Sequence, residues 1–228
     1  MIDGLIDLNC GIMIKRGLVY IGLTGLVFSS CIKHEVIPAP TPLVDLEAHF
    51  FGVINGTDKE YTDNVVGYAN ASSKVKIIQP PGGVSTAVYY AEMSSSQVTP
   101  KIKVGLGSIN FDSGVASDPT LTLFNDFFPA NDLPAYSDAG AAGFEVSWTD
   151  ISGREWLSTE ISGHPTADVQ FTGITQESDE TGDYSKFTCY FECMVYSLNP
   201  DSLALPVPVA HIDSLLIEDA VYNGWFRR

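Results

Sequence analysis

The sequence is short of positive charge, of cysteine and of histidine, and each shortage excludes something. Twelve Lys and Arg residues stand against 28 Asp and Glu, a net charge of −16. DNA and RNA bind through a basic footprint, and this surface would repel phosphate, so nucleic acid is excluded as a partner. The charge otherwise serves solubility. The four histidines, His34, His49, His164 and His211, are scattered, and their places suit tether, strand-start and turn positions better than catalysis. No GxSxG elbow, P-loop, Rossmann fingerprint, HExxH or EF-hand loop occurs in the chain. Neither cofactor nor metal is therefore expected, and the domain is read as non-enzymatic. No apolar run reaches the roughly 20 residues of a transmembrane helix, and no repeat of fixed period is visible.

What is present is apolar and aromatic. The chain has 228 residues, 45% of them hydrophobic, with 12 Phe, 10 Tyr and 3 Trp. That is enough for one domain with its own core.

The start of the chain has a separate organisation. Residues 13–31 read "MIKRGLVYIGLTGLVFSSC": Lys15 and Arg16, then an apolar stretch from Leu18 to Phe28, then Ser29, Ser30 and Cys31. A positive region, a short apolar core and small residues before a cysteine resemble a bacterial lipoprotein signal peptide with its lipobox. The resemblance implies cleavage before Cys31 and lipidation of Cys31. Phe28 stands where that family usually has Leu. Residues 1–12 carry Asp3 and Asp7 and fit no signal peptide, so Met13 is read as the start and Cys10 as outside the protein. In some bacteria that family uses an Asp after the cysteine for inner-membrane retention, so with Ile32 in that place the resemblance implies the outer membrane. "IKHE" leaves the periplasmic and surface sides both open. Acyl chains anchor stably at about 0.8 kcal/mol for each buried CH₂ when two or more are attached. Pro38, Pro40 and Pro42 follow, and favour an extended semi-rigid tether. The organisation expected is an extension over 1–12, a signal peptide over 13–30, the lipidated tether over 31–45 and a β domain over 46–228.

The β domain is read from alternation. Asn55-Gly56 between strand-like runs is a strong hairpin signal. "KIKVGLGSINF" (101–111) puts Ile102, Val104 and Leu106 on one face. "GFEVSWTD" and "REWLSTEI" flank Ser152-Gly153 as a second hairpin. Short strands with turn residues between them predict an all-β fold, an antiparallel β-sandwich or barrel-like domain. One short helix is expected within 118–132, with Asp118 as cap, Pro119 in the first turn, an apolar face of Leu121, Phe124 and Phe128, and Pro129 ending it. Cys189 and Cys193 share a face with Phe187, Phe191 and Val195. Four residues of strand span about 13 Å, too far for the roughly 7 Å Cα separation of a disulfide, so both are expected buried and reduced.

Three sets of candidate site residues emerge. Trp148, Trp156 and Trp225, with Tyr89, Tyr90 and Tyr222, are candidate ligand-binding aromatics, because exposed rings stack on sugars and anchor protein interfaces. Glu145 with Glu155 or Glu160 forms the alternative, a glycan hydrolase, whose two carboxyls must lie about 5–10 Å apart. "DSL" at 201–203 and 213–215 resembles the Asp-(Ser/Thr)-apolar acceptor of Bacteroidota envelope proteins, which makes Ser202 and Ser214 candidate O-glycosylation sites.

"GFEVSWTDISGREWLS" (143–158), "FTCYFECMVYSL" (187–198) and "LLIEDAVYNGWF" (215–226) resemble small Bacteroidota outer-membrane lipoproteins of unknown function. The resemblance implies structural motifs and no catalytic residues. The expectation is an outer-membrane-anchored β domain that binds or scaffolds without catalysis, its partner a glycan or an envelope protein.

Overall fold

The structure is a computed structural model and describes residues 43–80, 82–163, 169–198 and 212–228. Among the described residues ten strands follow one another with a single helix between them: β1 (His49–Ile54), β2 (Thr57–Thr62), β3 (Tyr68–Ile77), β4 (Ser85–Ser95), β5 (Lys101–Phe111), α1 (Leu121–Ala130), β6 (Gly143–Thr149), β7 (Glu155–Leu157), β8 (Gln170–Asp179), β9 (Gly182–Leu198) and β10 (Ile212–Arg227). The strands pair antiparallel in the order β2-β1-β10-β9-β7-β6-β5-β4-β3, with β8 also on β9. β9 is 17 residues long, so its one edge serves β8 along the first part and β7 at Tyr196. The sheet curls into an open half-barrel, in keeping with the all-β expectation. Among the described residues no helix is long and apolar enough to cross a membrane.

Alternation dictates which face each side chain takes. Ile102, Val104 and Leu106 of β5 are fully buried inside the curl. On the other face of β5 stands Gly105, where a Cβ would lie 2.6 Å from Glu145 Cγ and 2.7 Å from Tyr90 Cε1. That close approach requires glycine. Asn55 and Gly56 take φ of +50° and +71°, the pattern of a type I′ hairpin turn joining β1 to β2. The second hairpin also forms, with Trp148 opposite Trp156 and Gly153 at φ +85°.

Aromatic rings fill the interior. Phe187 stacks on Phe226 at 4.6 Å between centroids, and Phe128 of α1 also stacks on Phe226 at 4.8 Å. The helix plugs the curl through Phe124 and Phe128, both essentially inaccessible. Three details differ from expectation. Thr120 is the cap, its hydroxyl accepting the Leu123 N–H at 3.3 Å. Asp118 instead pairs with Lys74 and Lys76 at 2.7 and 3.0 Å, which hold its carboxyl below the ordinary range. Leu121 is 39% exposed, because the face reaching Tyr89 and Phe226 is set by the i, i+4 pair Phe124 and Phe128. Pro129 lies inside the last turn, and the helix ends one residue later.

Candidate functional site

The structure places the candidate aromatics against neighbours. Trp148 and Trp156 are each 8% exposed. Trp148 donates its indole N–H to the Tyr61 hydroxyl at 3.2 Å. Trp156 donates to Asp150 Oδ2 at 3.2 Å, under the Arg154 guanidinium at 4.3 Å from the ring centre. Trp225 is half-buried, its N–H on the Leu46 carbonyl at 3.0 Å and its ring edge-on to Tyr184. Tyr89, Tyr90 and Tyr222 are buried. These rings offer little open surface to a ligand.

The carboxylates are also engaged. Glu145 is 6% exposed and accepts the Gly140 N–H at 3.2 Å on each oxygen. Burial, then Glu145, pushes the Tyr90 hydroxyl well above its ordinary pKa. Glu155 accepts the Ser147 hydroxyl at 2.7 Å. Glu155 stands opposite Thr149, four residues from Glu145, about 13 Å along the strand direction. Glu160 lies in an exposed turn, its N–H on Asp138 Oδ1 at 3.2 Å.

Ser214 is exposed on β10 opposite Tyr196, beside a hollow of about 390 Å³ that Ile161 and Ile212 also line. His49 pairs with Glu60 at 3.0 Å on the surface. Cys31, Ser202, His34, His164 and His211 lie outside the described residues. Cys189 and Cys193 are buried and not bonded to each other. Burial pushes both thiols up, Cys193 to about 12. Among the described residues no group of three or more His, Cys, Asp or Glu is placed to hold a metal ion.

A different surface brings binding groups together. On the outer face of the sheet, Phe51 of β1 and Tyr190 of β9 both stand opposite Val221 of β10, so the three form one row across adjacent strands. Cross-strand neighbours have Cβ atoms about 4.5–5.5 Å apart, which makes the row a continuous apolar floor. Tyr190 is 44% exposed and Phe51 half-buried.

A β-bulge opens a hollow beside this row. Asp219 and Ala220 of β10 face the single Gly52 of β1, and Glu218 and Asp219 face the single Glu192 of β9. Asp219 absorbs the extra residue in the left-handed region, at φ +49°. The resulting hollow, about 310 Å³ and open to solvent, is lined by Phe51, Tyr190, Phe191, Glu192, Asp219, Ala220 and Val221. Its charged lining residues are both acidic. Glu60, opposite Phe51, and Glu218, opposite Val53, add negative charge nearby. Chemically, the arrangement offers two ring surfaces and a rim of carboxylates on a rigid sheet.

The sequence held a signal for half of this. In "HFFGVI" a doublet of Phe within an alternating strand must send one ring to each face. Phe50 goes in, fully buried, and Phe51 goes out. The inward set Phe187, Cys189, Phe191 and Cys193 likewise sends Tyr190 outward. The bulge at Asp219 carries no glycine and left no such signal.

No family model, curated protein or solved structure matches this chain.

Proposed function

We propose that this chain is an outer-membrane lipoprotein, held through acylated Cys31, whose β domain binds a partner without catalysis at the hollow between β1, β10 and β9. The anchor rests on the order of residues 13–31, with positive charge, apolar core, small residues and cysteine in sequence. The binding role rests on one observation, the exposed row Phe51–Val221–Tyr190 beside a bulge that hollows the sheet. Aromatic rings on an accessible, rigid surface are the usual anchors of protein interfaces and glycan platforms.

The test has two readouts in the same cells. Metabolic labelling with palmitate is expected to mark the wild-type protein and not Cys31→Ala, which should leave the membrane fraction. A photo-crosslinker at position 190 is expected to give one discrete adduct that the same group at Asp126, on the exposed side of α1, does not. Equal labelling of Cys31→Ala sinks the anchor. The same adducts from both positions, or none from position 190, sink the binding surface.

A further inference from the structure

Resting on the reading of the hollow as a binding surface, we propose that this face takes a neutral glycan chain laid across β1, β10 and β9. A second row lies beside the first. Thr62, His49, Asn223, Thr188 and Thr172 stand opposite one another across β2, β1, β10, β9 and β8. Side chains alternate along each strand, so this row shares the outer face with Phe51, Val221 and Tyr190, two residues away. Five strands span roughly 19 Å, and two residues of strand about 7 Å. The face is therefore a long band with a ring-bearing half and a polar half.

The polar half has a hollow of its own. About 490 Å³ opens beside His49, Thr62 and Asn223, on strands that include those carrying Phe51 and Val221. All five side chains of the row are half-buried. Two of its members are held by hydrogen bonds. The Thr188 hydroxyl donates to Asn223 Oδ1 at 2.6 Å, and His49 Nε2 meets Glu60 Oε1 at 3.0 Å. A hydroxyl, a carboxamide and an imidazole each donate and accept, which matches ligand groups that do both.

The two halves fit the two parts of a sugar. Its C–H faces pack on aromatic rings, here Phe51 and Tyr190, the latter 44% exposed. Its hydroxyls donate and accept, as the polar row does. Both hollows are open to solvent, which suits a chain that crosses a surface with water bridging its remaining polar groups. Charge narrows the class. Glu47 and Asp63 line the polar hollow, Glu60 stands opposite Phe51, and among the described residues no Lys or Arg lines either hollow. With −16 over the whole chain, a uronate or sulfated glycan would be repelled, so the chain is neutral. An apolar protein patch pressed on this face would strand the donors and acceptors of the polar row, each at a cost.

The experiment is isothermal titration of the whole protein, solubilised from membranes in a polyoxyethylene detergent, which carries no sugar. The neutral probes are cellotetraose, mannotetraose, xylotetraose, maltotetraose and chitotetraose, with tetragalacturonate as the acidic control. At least one neutral probe is expected to bind about tenfold more tightly than tetragalacturonate. Tyr190→Leu keeps the apolar area and loses the ring, and should weaken that probe about fivefold. Asn223→Ala should weaken it about tenfold. The distant Asp126→Asn, on the exposed side of α1, should stay within about twofold. Circular dichroism melts verify that each variant is folded, and Thr188→Val reads the same polar row if Asn223→Ala is not.

Weakening by both the ring variant and the polar-row variant supports the inference. A loss from only one of them overturns the two-row site, and tetragalacturonate binding as tightly as the neutral probes overturns the neutral class. If a probe binds and neither variant changes it, the sugar sits elsewhere, and the inference and the binding surface fail together. If no neutral probe binds while the crosslinker at position 190 still captures a protein, the glycan is wrong and the binding surface stands.

Discussion

Phe51 and Tyr190 belong to strands that never pair with each other, yet Val221 stands opposite both. The row exists because β10 separates β1 from β9, and it borders a hollow because β10 carries one residue more than either neighbour at Asp219.

The bulge makes a first prediction. Asp219 sits at φ +49°, where Asn is tolerated and a β-branched residue is strained. Asp219→Asn should leave stability unchanged, and Asp219→Val should lower it by about 1–2 kcal/mol. Urea denaturation of the two variants decides, and equal midpoints would show that the left-handed conformation does not matter.

The helix plug makes a second. Phe128 stacks on Phe226 with 13° between ring planes and also meets Phe124 and Tyr89 edge-on. Phe128→Ala should cost about 3–5 kcal/mol by emptying that space. Leu121→Ala, on the same helix but 39% exposed, should change stability by less than about 0.5 kcal/mol. Comparable losses from both in chemical denaturation would contradict the assignment of the buried face.

A third concerns Tyr89. Its ring is fully buried, and its hydroxyl has no hydrogen-bond partner among the described residues. Burial pushes that hydroxyl well above its ordinary pKa. Tyr89→Phe keeps the ring packing and removes the uncompensated polar atom. It should be neutral or stabilising by up to about 1 kcal/mol, read from the thermal midpoint. A clear loss would mean that the hydroxyl is bonded.

The Asp179 carboxylate predicts a pH dependence. It accepts the Thr181 hydroxyl at 2.6 Å, the Val44 N–H at 2.7 Å and the Thr181 and Gly182 N–H groups, which hold its pKa at about 2. A depressed folded-state pKa gives stability that is complete above the ordinary value of 3.8 and is lost as pH falls through about 2. The melting difference between wild type and Asp179→Asn should therefore be constant above about pH 5 and shrink toward pH 2. A difference that does not change with pH would remove this role.

Burial pushes the Cys189 and Cys193 thiols up, and with no disulfide between them they are shielded neutral groups. Iodoacetamide at mildly alkaline pH, followed by peptide mapping, should label neither in the folded protein and both in denaturant. Rapid labelling of either in the native state would show an opening of β9.

Much of this fold was legible because alternation is a local signal. "KIKVGLGSINF" and the run from Phe187 to Val195 display their buried face in the order of residues, and Asn55-Gly56 displays its turn. The helix cap was not legible in the same way, since Asp118 and Thr120 are both good caps and only the lysines of β3 claim Asp118. Whether Trp148 and Trp156 face inward depends on which strands meet. Trp148 becomes interior only when the sheet curls and brings Tyr61 against it. Phe51 and Tyr190 could be sent outward by alternation, but their adjacency could not. It depends on β10, about 170 residues after β1, entering between β1 and β9, and long-range strand order leaves no mark in local sequence.

The hollow beside Val221 is the proposed binding surface, and methyl resonances report on it directly. Val221 and Val53 lie at this face, while the exposed Val84 lies at a separate hollow and Val115 at 79% exposure in a loop. On addition of solubilised envelope extract to the labelled protein, the Val221 and Val53 methyls are expected to shift together and saturate while Val84 and Val115 stay in place. Movement of Val84 with Val221 unmoved would contradict it.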